Sequence, residues 1–134
     1  MEKKEIRHPD KSVHTGAYSA GVSIDNWLYV SGQGPLDLET GEVLHASIEE
    51  ETLLTLRHIS RIVEAAGGQV KDIVKCTVHL SDISHFQRFD RAYASFFSDT
   101  KPARTTVQSV LSDGIKVEID AVAWIPSTNN SNKD

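Results

Sequence analysis

The stretch Ile115-Lys116-Val117-Glu118-Ile119-Asp120-Ala121-Val122-Ala123-Trp124-Ile125 alternates without a break. Ile115, Val117, Ile119, Ala121, Ala123 and Ile125 fall on one side, and Lys116, Glu118, Asp120, Val122 and Trp124 on the other. A period of two held this long marks a strand with one face against a core. Upstream, Ser112-Asp113-Gly114 reads as a turn and Arg104 to Val110 as the other strand of a hairpin. Setting Leu111 opposite Ile115 places Thr106 opposite Asp120, and a slip of two residues places Arg104 there. Either register keeps Arg104, Thr106, Gln108 and Asp120 on one face. By pattern alone, that arginine and aspartate are either a cross-strand ion pair or a site where a guanidinium forks a ligand carboxylate while the aspartate positions water.

Further upstream, Val74, Cys76, Val78 and Leu80 alternate with Ile73, Lys75, Thr77 and His79, giving another strand. Between it and the hairpin lies a helical line, Ile83, Phe86, Phe89, Tyr93 and Phe96 or Phe97, capped by Ser84 with Gln87 or by Asp82. An earlier helix begins at Ser47, where Glu50 completes a capping box and Glu49 to Glu51 suit the positive helix end. Its apolar face is Leu53, Leu56, Ile59, Val63 and Ala66, and Gly67-Gly68 stops it. Before it, Val22/Ile24 and Leu28/Val30 flank Asp25-Asn26, a two-residue hairpin turn.

The order strand, strand, helix, strand, helix, strand, strand predicts a two-layer α+β domain with both helices on one face of the sheet. The other face would carry Trp27, Tyr29, Thr77, Val122 and Trp124, so a second subunit is expected to cover it. The 134 residues fit one domain, with a core over about 14–126 and both ends expected to fray. Net charge is −5, from 14 basic and 19 acidic residues, which argues against a nucleic-acid partner. The lone Cys76 excludes an intrachain disulfide. The six histidines form neither H-x-H nor H-E-x-x-H, so no metal site is expected. No apolar run could span a bilayer or serve as a signal peptide, and a cytoplasmic location is the expectation.

Four stretches carry a family likeness. They are Gly16-Ala17-Tyr18-Ser19; Leu28 to Pro35 with Thr40-Gly41-Glu42-Val43; Ile62 to Gly67 with Asp72 to Lys75; and Pro102-Ala103-Arg104-Thr105 with Lys116 to Ala121. Together they resemble the Rid (YjgF/YER057c/UK114) family of enamine/imine deaminases, over roughly residues 14–126. The resemblance implies a chorismate-mutase-like fold with a mixed sheet, and a homotrimer with its sites between subunits. It implies cofactor-free hydrolysis of 2-enamines and 2-imines, such as 2-iminobutanoate and 2-iminopropanoate, to 2-keto acids and ammonia, while the absence of a membrane or nucleic-acid partner is expected from the charge and the short apolar runs. It assigns carboxylate binding to Arg104, a lining role to Tyr18, Ser31 and Gly32, and water positioning to Asp120, where the family has glutamate. Thr106 stands where many members have cysteine, and Asp90 where the best-known branch has asparagine. Asp120 is expected to reach about 1.5 Å less far than glutamate, and Asp90 to oppose anion binding. The alternatives are a non-catalytic trimer that binds small carboxylates and, less favoured by the charge, an endoribonuclease or translation inhibitor.

Overall fold

The computed structural model describes residues 2–127. A six-stranded sheet carries two helices. In chain order the elements are β1 (Lys4–Ile6), β2 (Gly21–Ile24), β3 (Trp27–Gln33), α1 (Ile48–Ala65), β4 (Ile73–Leu80), α2 (Phe86–Phe96), β5 (Ala103–Gln108) and β6 (Val117–Trp124). The strand order is β1-β2-β3-β6-β4-β5.

The two helices start and stop as their sequences dictate. At the head of α1, the Ser47 hydroxyl accepts from the Glu50 amide (3.1 Å), and the Glu50 carboxylate accepts from the Ser47 amide (3.2 Å). This pairs two donors that a helix start otherwise leaves unsatisfied. At its end, Gly67 takes φ +91°, where a side chain would be strained, and Gly68 donates back to the Val63 carbonyl. A one-turn 3₁₀ segment, Ile83–His85, precedes α2, and Asp82 rather than Ser84 caps it by accepting from the Ser84 amide. Leu56, Ile59, Ile62 and Val63 from α1, and Phe89, Tyr93 and Phe97 from the α2 region, pack on Leu28, Val30, Cys76, Val78, Leu80 and the inward side of β6.

The β2–β3 hairpin forms as its sequence predicts, with Ile24 opposite Trp27 and Asp25 at positive φ. The second hairpin does not form. β5 pairs parallel with β4, Cys76 opposite Arg104, while β6 lies antiparallel between β3 and β4. The reason is α2. A helix between two strands returns the chain in the same direction, so β4-α2-β5 closes as a parallel crossover. β6 then takes the central slot, where two ladders satisfy its backbone and Val117, Ile119, Ala121 and Ala123 are buried. β5 is left as an edge strand.

Three smaller expectations are also corrected. The N-terminal segment does not simply fray: β1 pairs with β2, and His8 is buried. A bulge between Ile73 and Lys75 turns Ile73 into the core and Val74 outward, reversing the simple alternation there. Ile83 is exposed and falls outside the apolar line of α2. The expected C-terminal fraying falls on residues outside those described, Ser127 excepted.

Candidate functional site

Arg104 and Asp120 lie on opposite faces of the sheet. Arg104 pairs with Cys76, whose side chain is buried beneath the helices, whereas Asp120 pairs with Thr77, which faces the other way. The expected shared face required β5 to pair with β6, and the crossover removes that pairing.

Arg104 projects from the β5 edge under α2. Its Cζ lies 4.8 Å from the centroid of Tyr93, 5.4 Å from Phe86 and 5.5 Å from Phe89. These rings sit at helical spacings of three and four, so one face of α2 presents all three. A guanidinium over aromatic faces gains from the ring quadrupoles and is held in one orientation. Its Nη1 donates to Asp90 Oδ1 at 2.7 Å. The Arg104 side chain is 22% exposed and that of Asp90 47%. Beside it on the same side of β5, the Thr106 hydroxyl is buried with no hydrogen-bond partner among the described residues. Burial pushes both the Cys76 thiol and the Tyr93 phenol up, so neither is an acid or nucleophile near neutral pH.

A second cluster forms where β3 leaves the sheet. Val30 pairs with Ala121 and Gln33 with Ile119, so Ser31 and Gly32 together face Asp120 across a bulge. The Ser31 hydroxyl donates to the Ser19 carbonyl (2.6 Å) and its amide to the Ala20 carbonyl (2.9 Å), which tethers the segment carrying Tyr18. Tyr18, Gly32 and Glu118 line a cleft of about 440 Å³ together with His14, Thr40 and Asp113. A Cβ on Gly32 would stand 2.5 Å from Glu118 Oε2, so the missing side chain is what admits the glutamate.

Glu118 is held in register from behind by Glu51. This α1 carboxylate is fully buried and accepts from the Lys116 amide (2.8 Å) and the Ala46 amide (3.0 Å), with Lys116 Nζ at 3.4 Å. It clamps the entry to β6 two residues before Glu118. In the sequence Glu51 reads as one of three acids at a helix start.

The structure therefore gathers Arg104, Asp90 and Thr106 in one place and Tyr18, Gly32 and Glu118 in another, with Ser31 as the tether of Tyr18. Asp120 belongs to neither group. It is partly buried on the helix-free face, and desolvation raises its pKa against the opposing pull of His79, Lys75 and the Thr77 hydroxyl. Glu118 is the acid that reading of the sequence passed over. It stands two residues from Asp120 with the same orientation, and only the bulge and the cleft distinguish them. Chemically, the first cluster can fork a carboxylate, and the second can hold and deprotonate water.

The helix-free face exposes Trp27, Tyr29, Val74, Val107 and Trp124, each about 40–51% accessible. Among the described residues, no group of three His, Cys, Asp or Glu side chains is placed to hold a metal ion, and no helix is long and apolar enough to cross a membrane.

Residues 10–125 match the family described as endoribonuclease L-PSP. A RutC family protein of Saccharolobus solfataricus is 43% identical over 122 residues, covering 90% of this chain and 97% of that protein. The 2-iminobutanoate/2-iminopropanoate deaminase of Rattus norvegicus is 37% identical over 109 residues, covering 81% of this chain and 80% of its own. The structure of E. coli TdcF with bound serine superposes with a TM-score of 0.85 at 34% identity, covering 92% of this chain and 99% of that one. With its α+β mixed sheet, its motifs and these relatives, the chain belongs to the Rid (YjgF/YER057c/UK114) family.

Proposed function

We propose that the protein hydrolyses reactive 2-imino acids, or the enamines that tautomerise to them, to 2-keto acids and ammonia. The observation that carries this reading is the aromatic seat of Arg104, which fixes a guanidinium at an edge strand with N–H groups left over for a carboxylate. Tyr18, Gly32 and Glu118 supply the second half of the site. Glu118, rather than Asp120, takes the water-positioning role. As the water oxygen adds to C2, Glu118 takes a water proton and the C=N pair moves to nitrogen, giving a carbinolamine. Glu118 returns that proton to the nitrogen and takes the hydroxyl proton as the C–N bond breaks, so that the carbonyl forms and ammonia leaves. Holding substrate and water together converts an encounter of two molecules into a step within one complex. The relative named as a deaminase supports the reaction class.

The two halves are separated by strand position and by sheet face within one protomer. They complete one site only if the β5 edge of one copy lies against the cleft of another. The exposed tryptophans and valines of the helix-free face favour such an assembly, and a homotrimer with sites between subunits is part of the proposal. A cytoplasmic setting goes with it, since the imines arise from pyridoxal-phosphate dehydratases acting on serine and threonine.

The test couples the protein to a serine or threonine dehydratase and follows 2-keto acid appearance or imine trapping. No acceleration over spontaneous hydrolysis on either imine rejects the reading. A second reading, a non-catalytic carboxylate-binding trimer, is favoured by the Asp90 contact, which neutralises Arg104. Keto-acid binding that Arg104→Ala abolishes, with no turnover of either imine, would select it.

A further inference from the structure

We propose that Asp90 makes the Arg104 site select ligands that carry a cationic nitrogen beside their carboxylate, over plain carboxylates. This rests on the reading of Arg104 as a carboxylate anchor and adds to it the ligand class the anchor prefers.

Asp90 engages Arg104 through one oxygen only: Oδ1 accepts from Nη1 at 2.7 Å, and Oδ2 makes no hydrogen bond among the described residues. Phe86, Phe89 and Tyr93 occupy space around the guanidinium. A ligand carboxylate must therefore use the N–H groups that Asp90 leaves free, and it binds beside a half-exposed aspartate. The Arg104–Asp90 pair is neutral as a unit. A 2-keto acid, a monoanion, is attracted by one member and repelled by the other.

A protonated 2-imino acid or an α-amino acid meets this pair differently. Its carboxylate faces Arg104, and the nitrogen cation one carbon away finds the unused oxygen of Asp90. Two charge-assisted contacts then form where the keto acid makes one contact and suffers one repulsion. Hydrolysis turns the first kind of ligand into the second. The iminium and water give the keto acid and ammonium, the bound species changes from zwitterion to anion, and Asp90 changes from partner to opponent. Product release is built into the charge pattern.

Calorimetry on the full chain tests this with serine as the zwitterion and 2-oxobutanoate as the anion. The wild type should favour serine. Asp90→Asn should tighten 2-oxobutanoate and weaken serine, shifting the ratio of their Kd values by roughly tenfold. Asp90→Glu should keep the wild-type order. If Asp90 only steadies Arg104, Asp90→Asn will weaken both ligands together and the proposal is wrong. If both ligands bind through Arg104 and Asp90→Asn leaves their ratio unchanged, this inference alone is overturned. If the wild type binds neither, the carboxylate-anchor reading falls and this inference with it. Thermal melts of each variant separate loss of fold from loss of binding.

Discussion

Glu118 occupies the space that a side chain on Gly32 would need. A Cβ at that position would come within 2.5 Å of Oε2 and 3.0 Å of the carboxyl carbon. The obstructing atoms are the far end of a long side chain, so Gly32→Ala should fold with little loss of stability while swinging the carboxylate out of place. Misplacement on this scale costs about 100-fold in rate. The expected result is a melting temperature close to wild type with turnover reduced by about that factor. Equal losses of both would mean that the glycine serves the backbone and not the acid.

Two acids with the same orientation can be told apart by their amides. Glu118→Gln should lower turnover on serine- or threonine-derived imines by about 100-fold or more, the usual contribution of a positioned base. Asp120→Asn should change it by less than about threefold. The reverse order of effects would return the water-positioning role to Asp120.

Arg104→Lys keeps the charge and loses the fork. Binding of 2-oxobutanoate should weaken by about 10–150-fold, the worth of a charge-assisted bidentate contact. Arg104 rests on the core rings Phe89 and Tyr93, and the lysine stem keeps part of that packing, so the melting temperature should fall by a few degrees while the fold is kept. Unchanged affinity in titration calorimetry would remove Arg104 from the ligand.

Glu51 is the structural counterpart. Glu51→Ala leaves the buried amides of Ala46 and Lys116 without an acceptor and frees the start of β6. A cost of about 2–4 kcal/mol is expected in urea unfolding. Activity should be lost at temperatures where the variant is still folded, because Glu118 is no longer held in register.

Stability should also depend on pH through the N-terminal segment. His8 is buried edge-on against His58, with ring centroids 5.2 Å apart. Burial and the His58 charge lower its pKa from 6.5 to about 4, and burial lowers His58 as well. Between these values the unfolded chain binds a proton that the folded chain refuses. The His8 contribution is therefore whole above pH 6.5 and is lost as pH falls towards 4. Urea midpoints measured from pH 7 to 5 should fall less steeply in His8→Gln than in the wild type.

What could be read in the sequence was what is decided locally. The Ser47–Glu50 box, the Asp25-Asn26 turn and the inward face of β6 each depend on residues a few positions apart. The pairing of β5 depends on how α2 carries the chain back, and the plausible turn at Ser112-Asp113-Gly114 concealed it. β1 is three residues of mixed charge with no period to detect. Parity placed Glu118 and Asp120 on the right face yet could not say which reaches the cleft, since the deciding bulge lies on another strand. The aromatic line of α2 was legible as core, but its second role, seating Arg104, appears only when β5 is laid beneath it.

The central place of β6 also governs the order of assembly. β1, β2 and β3 can associate among themselves, and β4, α2 and β5 can do the same, but nothing joins these two groups in the sheet until the last strand slides between β3 and β4. On the ribosome, both pieces therefore wait with open edges until β6 has emerged. Such edges invite pairing with other chains. The step that completes the fold closes contacts between residues far apart in sequence, such as Trp27 with Trp124, the kind of closure that slows folding. The same step brings Glu118 into position, so the cleft that it lines with Tyr18 and Gly32 is complete only once the sheet is whole.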